Sequence, residues 1–259
     1  MSRSHESLVD VQFGHQAQAY VQSVVHAQGE DLDALEALAE RMRPDAAIDL
    51  GAGGGHVAYR LAAHAKAVTA VDLSPSMIAA VEDAARQRAL PNIATCVAPA
   101  ESLPFDGASF DMLGCRFSAH HWRELDAGLR EACRVLKPGA PAAFIDVISP
   151  GVPAFDTHLQ SVELLRDPSH VRNFTQSEWE MALTRAGFRV RDARKSRLRM
   201  DYASWVERMR TPEPHRVAIR SLQQWADEAT TRYFEIEEHG SFTVDTLYIE
   251  ASVCRARRS

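Results

Sequence analysis

One short stretch does most to limit what this 259-residue chain can fold into: Asp49-Leu50-Gly51-Ala52-Gly53-Gly54-Gly55-His56. An apolar run with strand character, 46–50, precedes it, and residues 56–65 follow with helical spacing. A glycine loop at a strand-to-helix turn lets backbone approach a ligand closely, and the first turn of the helix offers unpaired N–H groups to a carboxylate or phosphate. The dinucleotide fingerprint GxGxxG, read from Gly51, requires glycine where His56 stands, so a nicotinamide dinucleotide fits less well. Asp72 closes the next apolar run, where a carboxylate can accept both hydroxyls of a ribose. An adenosine-containing ligand is therefore expected, with its anionic end at the glycines.

The N-terminal part of the chain alternates short apolar runs with helical stretches, the pattern of an α/β, doubly wound, mostly parallel sheet. Strands are expected at 46–50, 67–73, 93–98, 110–116 and 142–148, and helices at 56–65, 75–90 and 124–136. Ser74 and Pro75 signal the start of the second of these helices. Leu32, Leu35, Leu38 and Met42 recur at helical intervals behind Glu30 and Asp31, predicting a further helix ahead of the first strand. Residues 149–174 form a connection rich in Pro, Asp and His. After it, Thr175 to Glu178 spell a capping box for a helix that stops at Gly187. Residues 202–233 read as mostly helical with a break at 211–214, and 243–253 as a final strand.

With 46% hydrophobic and 25% charged residues the chain can bury a sizeable core, which excludes a disordered or fibrous protein. Lys and Arg number 29 against 35 Asp and Glu, so the surface as a whole is no polyanion binder. Basic residues do cluster at Arg185, Arg189, Arg191, Arg194, Lys195, Arg197 and Arg199. Their alternation around Val190 and Leu198 fits a strand with one wet face, and no aromatic residue interleaves to stack bases. Cys96, Cys115, Cys133 and Cys254 lie far apart without a CxxC pair, which argues for reduced thiols rather than a zinc knuckle or disulfide framework. The acidic start is followed by no long apolar run, so neither a secretory leader nor a membrane anchor is expected, and the location expected is cytoplasmic.

Four collinear motifs add to this reading: DLGAGGG from Asp49, VDLSPSM from Val71, APAESLPFDGASFD from Ala98 and RVLKPGA from Arg134. Together they resemble the class I S-adenosylmethionine-dependent methyltransferases, especially the branch similar to the ubiquinone and menaquinone C-methyltransferases (methyltransferase type 11). The resemblance implies a Rossmann-like, seven-stranded sheet with helical lid insertions, S-adenosylmethionine as cofactor, and direct displacement of its methyl group by a small organic acceptor. It divides the chain into an N-terminal lid segment (1–29), a cofactor-binding core (30–148) and an acceptor-pocket lid with closing helices and strands (149–259). By the same resemblance Asp49, Gly51, Gly53 and Gly55 cradle the methionine end and Asp72 holds the ribose. Leu73 and Met77 flank adenine, while Ala100 and Glu101 meet its edge. Tyr20 and His26 would line the pocket from the N-terminal segment, and Arg116 would meet the cofactor carboxylate or the acceptor.

Displacement at a sulfonium needs alignment and exclusion of water, and a base only where the acceptor carries a proton. Three histidines are candidates for that base: His121, in the run after the fourth strand, and His158 and His170, in the connection where this family builds its lid. Metal dependence lacks a signature, since carboxylates such as Asp146 form no evident oxygen cluster. The expected partner is a small-molecule methyl acceptor, with no membrane and no nucleic acid, and a homodimer is compatible with this. Rival readings are a non-catalytic S-adenosylmethionine-binding protein, an RNA methyltransferase, and a nucleotide-dependent oxidoreductase; His56 and the lack of a second dinucleotide half weigh against the last.

Overall fold

The computed structural model describes residues 29–254, together with Leu8 and Gln12. Tyr20, His26 and most of the expected 1–29 segment lie outside the described residues. The chain opens with α1 (Glu30–Met42) and then runs β1 (Ala46–Leu50), α2 (His56–Ala62), β2 (Ala67–Asp72), α3 (Pro75–Gln87), β3 (Ile93–Val97) and β4 (Met112–Arg116). A 3-10 turn (Ala119–His121), α4 (Leu125–Val135) and β5 (Pro141–Ile148) complete the first half. There follow α5 (Pro153–Arg166), α6 (Gln176–Ala186), β6 (Phe188–Met200), α7 (Tyr202–Arg208), α8 (Glu213–Gln224), α9 (Glu228–Tyr233) and β7 (Phe242–Val253).

The seven strands form one sheet in the order β3-β2-β1-β4-β5-β7-β6, parallel except where β7 pairs antiparallel with both β5 and β6. Chain order reverses between β1 and β4, and at such a switch point the connections leave in opposite directions and open a crevice beyond the strand ends. Helices α1 and α2 pack Leu32, Leu35, Leu38, Val57 and Leu61 on one face of the sheet. On the other, α4 and α6 bring Leu129, Val135, Trp179 and Leu183 against Leu113, Phe144 and Ile249. A third cluster joins α5, α7, α8 and α9 through Leu159, Val162, Trp205, Ile219 and Phe234 to Val147 of β5 and to Phe242 and Val244 of β7. These helices build a cap on the sheet.

Helix α5 occupies the connection that reads in sequence as a polar loop. Pro153 stands in its first turn, where the missing N–H costs nothing, and Leu159 and Val162 are buried on one face. Of its polar residues Glu163 and Arg166 border the interior chamber described below, while Thr157 is exposed to solvent. Helix α6 starts on the expected capping box: Thr175 Oγ1 accepts from the Glu178 N–H at 3.1 Å, and Glu178 Oε2 accepts from the Thr175 N–H at 2.7 Å. Edge strand β6 carries most of the basic run on exposed positions, and several of the arginines are ion-paired. Arg197 pairs with Asp245, Arg199 with Glu237, Arg194 with Asp192, and Arg185 of α6 with Asp126. Among the described residues no helix is long and apolar enough to cross a membrane.

The crevice depends on close packing beneath it. A Cβ on Gly114, the β4 residue paired with Asp49, would stand 2.7 Å from Val57 Cγ1 and 3.0 Å from Leu35 Cδ1. Gly114→Ala should therefore destabilise the protein by about 1–3 kcal/mol through overpacking, read as a lower midpoint in urea with unchanged slope. An unchanged midpoint would show that α1 and α2 shift freely on the sheet.

Candidate active site

The crevice is built from the ends of β1, β2 and β4. Asp49, the penultimate residue of β1, is buried, and its Oδ2 accepts from the Ala58 N–H at 2.9 Å, which anchors the first turn of α2 to the strand. Burial pushes its carboxyl up to about 8; the Asp72 charge adds to this, while the Ala58 N–H and Arg116 oppose it. At the end of β2 the Asp72 carboxylate bridges two elements. Its Oδ2 accepts from Gly53 N at 2.8 Å and its Oδ1 from Ser74 N at 2.9 Å. Ser74 in turn caps α3, its hydroxyl accepting from Met77 N at 3.4 Å. The amides of Gly51 and Ala52 both donate to the Val71 carbonyl at 2.8 Å, so the loop is wrapped tightly over β2.

The glycines do different work from one another. At Gly51 a Cβ would overlap Ser118 Oγ, and at Gly55, which begins α2 at φ +80°, it would stand 2.7 Å from the Tyr59 ring. These two glycines make room for neighbouring side chains. At Gly53, with φ +50°, the nearest atom to a Cβ would be Met77 Cε at 3.9 Å, so this is the glycine whose missing side chain leaves open space.

That space is a cavity of about 470 Å³. Asp49, Gly51, Gly53 and Asp72 line it, as do Leu73, Met77, Ala100 and Glu101. Arg116 and His121 also border it, whereas Gly55 does not. Glu101 has one oxygen already occupied by the Arg123 N–H at 2.9 Å. Phe117, Ser118 and Trp122 complete the wall, and sequence reasoning passed over all three. Trp122 Nε1 donates to Ser118 Oγ at 3.2 Å, and the same hydroxyl packs on Gly51, so the β4 exit is locked to the glycine loop. Phe117 sits at φ +51°, a left-handed backbone that reverses the chain at the strand end, with the Arg116 guanidinium 4.5 Å from its ring centroid.

Arg116, Phe117 and His121 also border a second chamber of about 270 Å³ under the cap. Arg116 is almost wholly buried there and is held by Asp31 of α1, its Nε donating to Oδ2 at 2.6 Å. The other walls mix apolar side chains, Val147, Leu198, Met200 and Trp205, with the polar His120, Glu163, Asp167 and Asn173. His120 is fixed by Asp146 of β5, Nδ1 lying 2.6 Å from Oδ1 while its own N–H donates to Oδ2 at 3.2 Å. Burial pulls this histidine down, but Asp146, with Glu163 and Asp167 behind it, outweighs burial and holds it above the ordinary histidine range.

The three histidines proposed from sequence are separated by the fold. His121 lies at the junction of the two cavities, Nδ1 3.2 Å from the Ser169 carbonyl, and burial together with the His120 charge pushes it down to about 4. His170 is buried behind His120, its Nε2 2.9 Å from Gln160 Oε1; burial and the neighbouring positive groups push it down to about 2. It lines neither cavity. His158 lies farther off, its ring 5.4 Å from that of Phe234 in the cap, because α5 turns this face toward α9 rather than toward the chamber. The segment between α5 and α6 is no solvated loop: the amides of Val171 and Arg172 donate to the His120 carbonyl, and Asp167, Ser169 and Asn173 are buried. Among the described residues no group of three His, Cys, Asp or Glu side chains is arranged to hold a metal ion.

Residues 48–144 match the methyltransferase domain family, the span that runs from β1 into β5. The uncharacterized protein YafE of Escherichia coli (strain K12) is 44% identical over 197 residues, covering 76% of this chain and 95% of its own. The uncharacterized methyltransferase YcgJ of Bacillus subtilis (strain 168) is 33% identical over 243 residues, 92% of this chain and 96% of its own. The crystal structure of the Bacillus YcgJ protein superposes with a TM-score of 0.83 at 28% identity, covering 87% of this chain and 99% of that one. The ubiquinone/menaquinone biosynthesis C-methyltransferase UbiE of Agrobacterium fabrum is 33% identical over 130 residues, 47% of this chain and 49% of its own. With a strand order that opens a crevice at β1 and β4 and relatives similar across nearly the whole chain, this protein belongs to the class I S-adenosylmethionine-dependent methyltransferases.

Proposed function

We propose that the protein transfers the methyl group of S-adenosylmethionine by direct displacement to a small organic acceptor, working in the cytoplasm. The observation that carries this reading is the pair of cavities meeting at Arg116, Phe117 and His121, one shaped by backbone and carboxylates, the other roofed by the cap helices. The first fits the cofactor. Its volume of about 470 Å³ falls within the ~300–1,000 Å³ of small-molecule sites. Gly53 leaves space open in it, and three acidic groups line it, Asp49, Asp72 and Glu101.

When bound, the cofactor supplies an electrophilic methyl carbon with a neutral thioether as leaving group. Asp49 would hold the ammonium of its amino-acid end. Asp72, already preorganised by two amide donors, has acceptor capacity left for ribose hydroxyls, and Glu101 for the adenine edge. Leu73 and Met77 would flank the base, and Arg116 stands where it can meet the amino-acid carboxylate or the acceptor. Phe117, which borders both cavities, would help to exclude water from the junction, and an acceptor held in the second chamber would be presented there to the methyl group. A chamber of about 270 Å³ suits a small molecule, and the carboxylates engaging the arginines on and beside β6 weigh against RNA.

Calorimetry should show both S-adenosylmethionine and its demethylated product binding at one site per chain. Gly53→Val, which sets a β-branched side chain at a positive φ and into the cavity, should weaken both by tenfold or more, about 1.4 kcal/mol or above. Wild-type affinity in that variant would place the ligand elsewhere. The raised carboxyl of Asp49 gives a second test. An ammonium beside it favours the ionised form, so binding expels a proton below Asp49's own pKa of about 8. The dissociation constant should fall by up to about tenfold per unit between roughly pH 6 and pH 8, with proton release visible in buffers of different ionisation enthalpy. Binding that does not vary with pH would remove Asp49 from contact with the ammonium.

A further inference from the structure

The chamber under the cap holds an acid–base pair that the cofactor site does not use. His120 lies on the turn after β4, and its Nδ1 is 2.6 Å from the buried carboxylate of Asp146. An ionised Asp146 takes the Nδ1 proton as its hydrogen bond, which leaves the lone pair on Nε2. Nε2 has no partner among the described residues, and the side chain keeps 16% exposure, so this is the nitrogen left to the chamber. Around the pair the walls combine Phe117, Val147, Leu198, Met200 and Trp205 with charged side chains, Arg116, Arg166, Arg197 and Arg208 among them, so apolar and charged groups share the chamber. A flat aromatic molecule can stack on the rings of Phe117 and Trp205, and its hydroxyl can then meet His120 Nε2, the nitrogen on which the Asp146 contact leaves a lone pair.

We propose that the chamber takes a small hydroxylated aromatic acceptor and that His120, positioned by Asp146, removes the proton of the hydroxyl whose oxygen receives the methyl group. This rests on the methyltransferase reading. In the step, the phenol proton first passes to His120 Nε2, and the phenolate oxygen then forms its bond to the methyl carbon. The carbon–sulfur bond breaks and its electron pair stays on sulfur, and the proton later leaves to solvent. The imidazolium so formed is stabilised by Asp146 from β5, Glu163 from α5 and Asp167 from the segment after it; His121 and His170 beside it stay neutral, and Arg166 is engaged by Glu163. Two buried polar atoms in chamber-lining residues, Asp167 Oδ2 and Asn173 Nδ2, have no hydrogen-bond partner among the described residues, the nearest charge to the former being His121 Nε2 at 3.9 Å. They favour an acceptor with a second polar substituent over a plain phenol.

The test uses the full chain, a panel of phenols and catechols of one or two rings, and labelled S-adenosylmethionine. At least one should yield a methyl ether, identified by mass spectrometry and NMR. With the demethylated cofactor product bound, the same phenol should show the red-shifted phenolate absorption at a pH where it is neutral in water. His120→Gln should lower kcat by about 10²-fold or more and abolish that absorption, with affinity for the cofactor unchanged. Asp146→Asn, which keeps the shape of the contact, should move the acid limb of kcat/KM to lower pH, because His120 loses the charge that raises it, while the plateau falls. Methylation at carbon or nitrogen, phenolate absorption that survives in His120→Gln, or no phenol accepted by protein that binds the cofactor would each overturn this inference and leave the methyltransferase reading standing. Failure to bind the cofactor would instead overturn that reading.

Discussion

The carboxylate of Asp72 is the constraint on which the site depends. A glycine loop is by nature loose, since each residue without Cβ has more conformations to lose on folding. Here the loop is held by a carboxylate from the adjacent strand, which takes the Gly53 amide on one oxygen and the start of α3 on the other. Charged acceptors make the stronger class of hydrogen bond, and this one binds two loops at once. The cavity floor at Gly53, the Val71 carbonyl under Gly51 and Ala52, and the Ser74 cap on α3 are consequences of one side chain placed where β2 ends. A ribose arriving there meets a carboxylate already oriented, so little ordering remains to be done on binding.

The other half of the site is organised by burying charge in pairs. Arg116 enters the protein interior only because Asp31 comes with it from α1, and Arg166 because Glu163 and the Trp205 carbonyl receive it. An unpaired charge at either position would carry a desolvation cost of several kcal/mol. The first pair therefore ties α1 to the end of β4, and the second fixes α5 against α7. Apolar packing alone would have closed the chamber these side chains border, because cores pack to crystal-like density and leave few voids.

How much of this is legible in the sequence follows from which signals are local. The inner strands β1, β4 and β5 are buried on both faces and read as unbroken apolar runs, so their positions agree with the expectation to within two residues at each end. The glycine loop, the Ser74 cap and the capping box at Thr175 are likewise contained in a few consecutive residues. Helix α5 is not legible in this way. Its buried residues mix Leu159 and Val162 with Glu163, which borders an interior chamber, while Leu164 is exposed, so polar and apolar residues do not sort cleanly onto two faces. Ser118 and Trp122 escaped notice because their importance lies in contact with Gly51, whose own requirement for glycine comes from Ser118 rather than from a ligand.

The same distinction explains why adjacent histidines change roles between sequence and structure. In a 3-10 turn successive side chains point about 120° apart, so His120 and His121 cannot face the same partner. Their rings nevertheless lie 4.1 Å apart between centroids, close enough that a proton on one disfavours a proton on the other. In the proposed step the base is set by a residue 26 positions away, since Asp146 Oδ1 lies 2.6 Å from His120 Nδ1. Burial alone would neutralise both rings. The carboxylate reverses that for His120, and the charge it supports then pushes His121 further down. The pair thus joins a ring on which Asp146 stabilises a proton once it is taken up to a ring kept neutral, where a second positive charge would oppose a sulfonium.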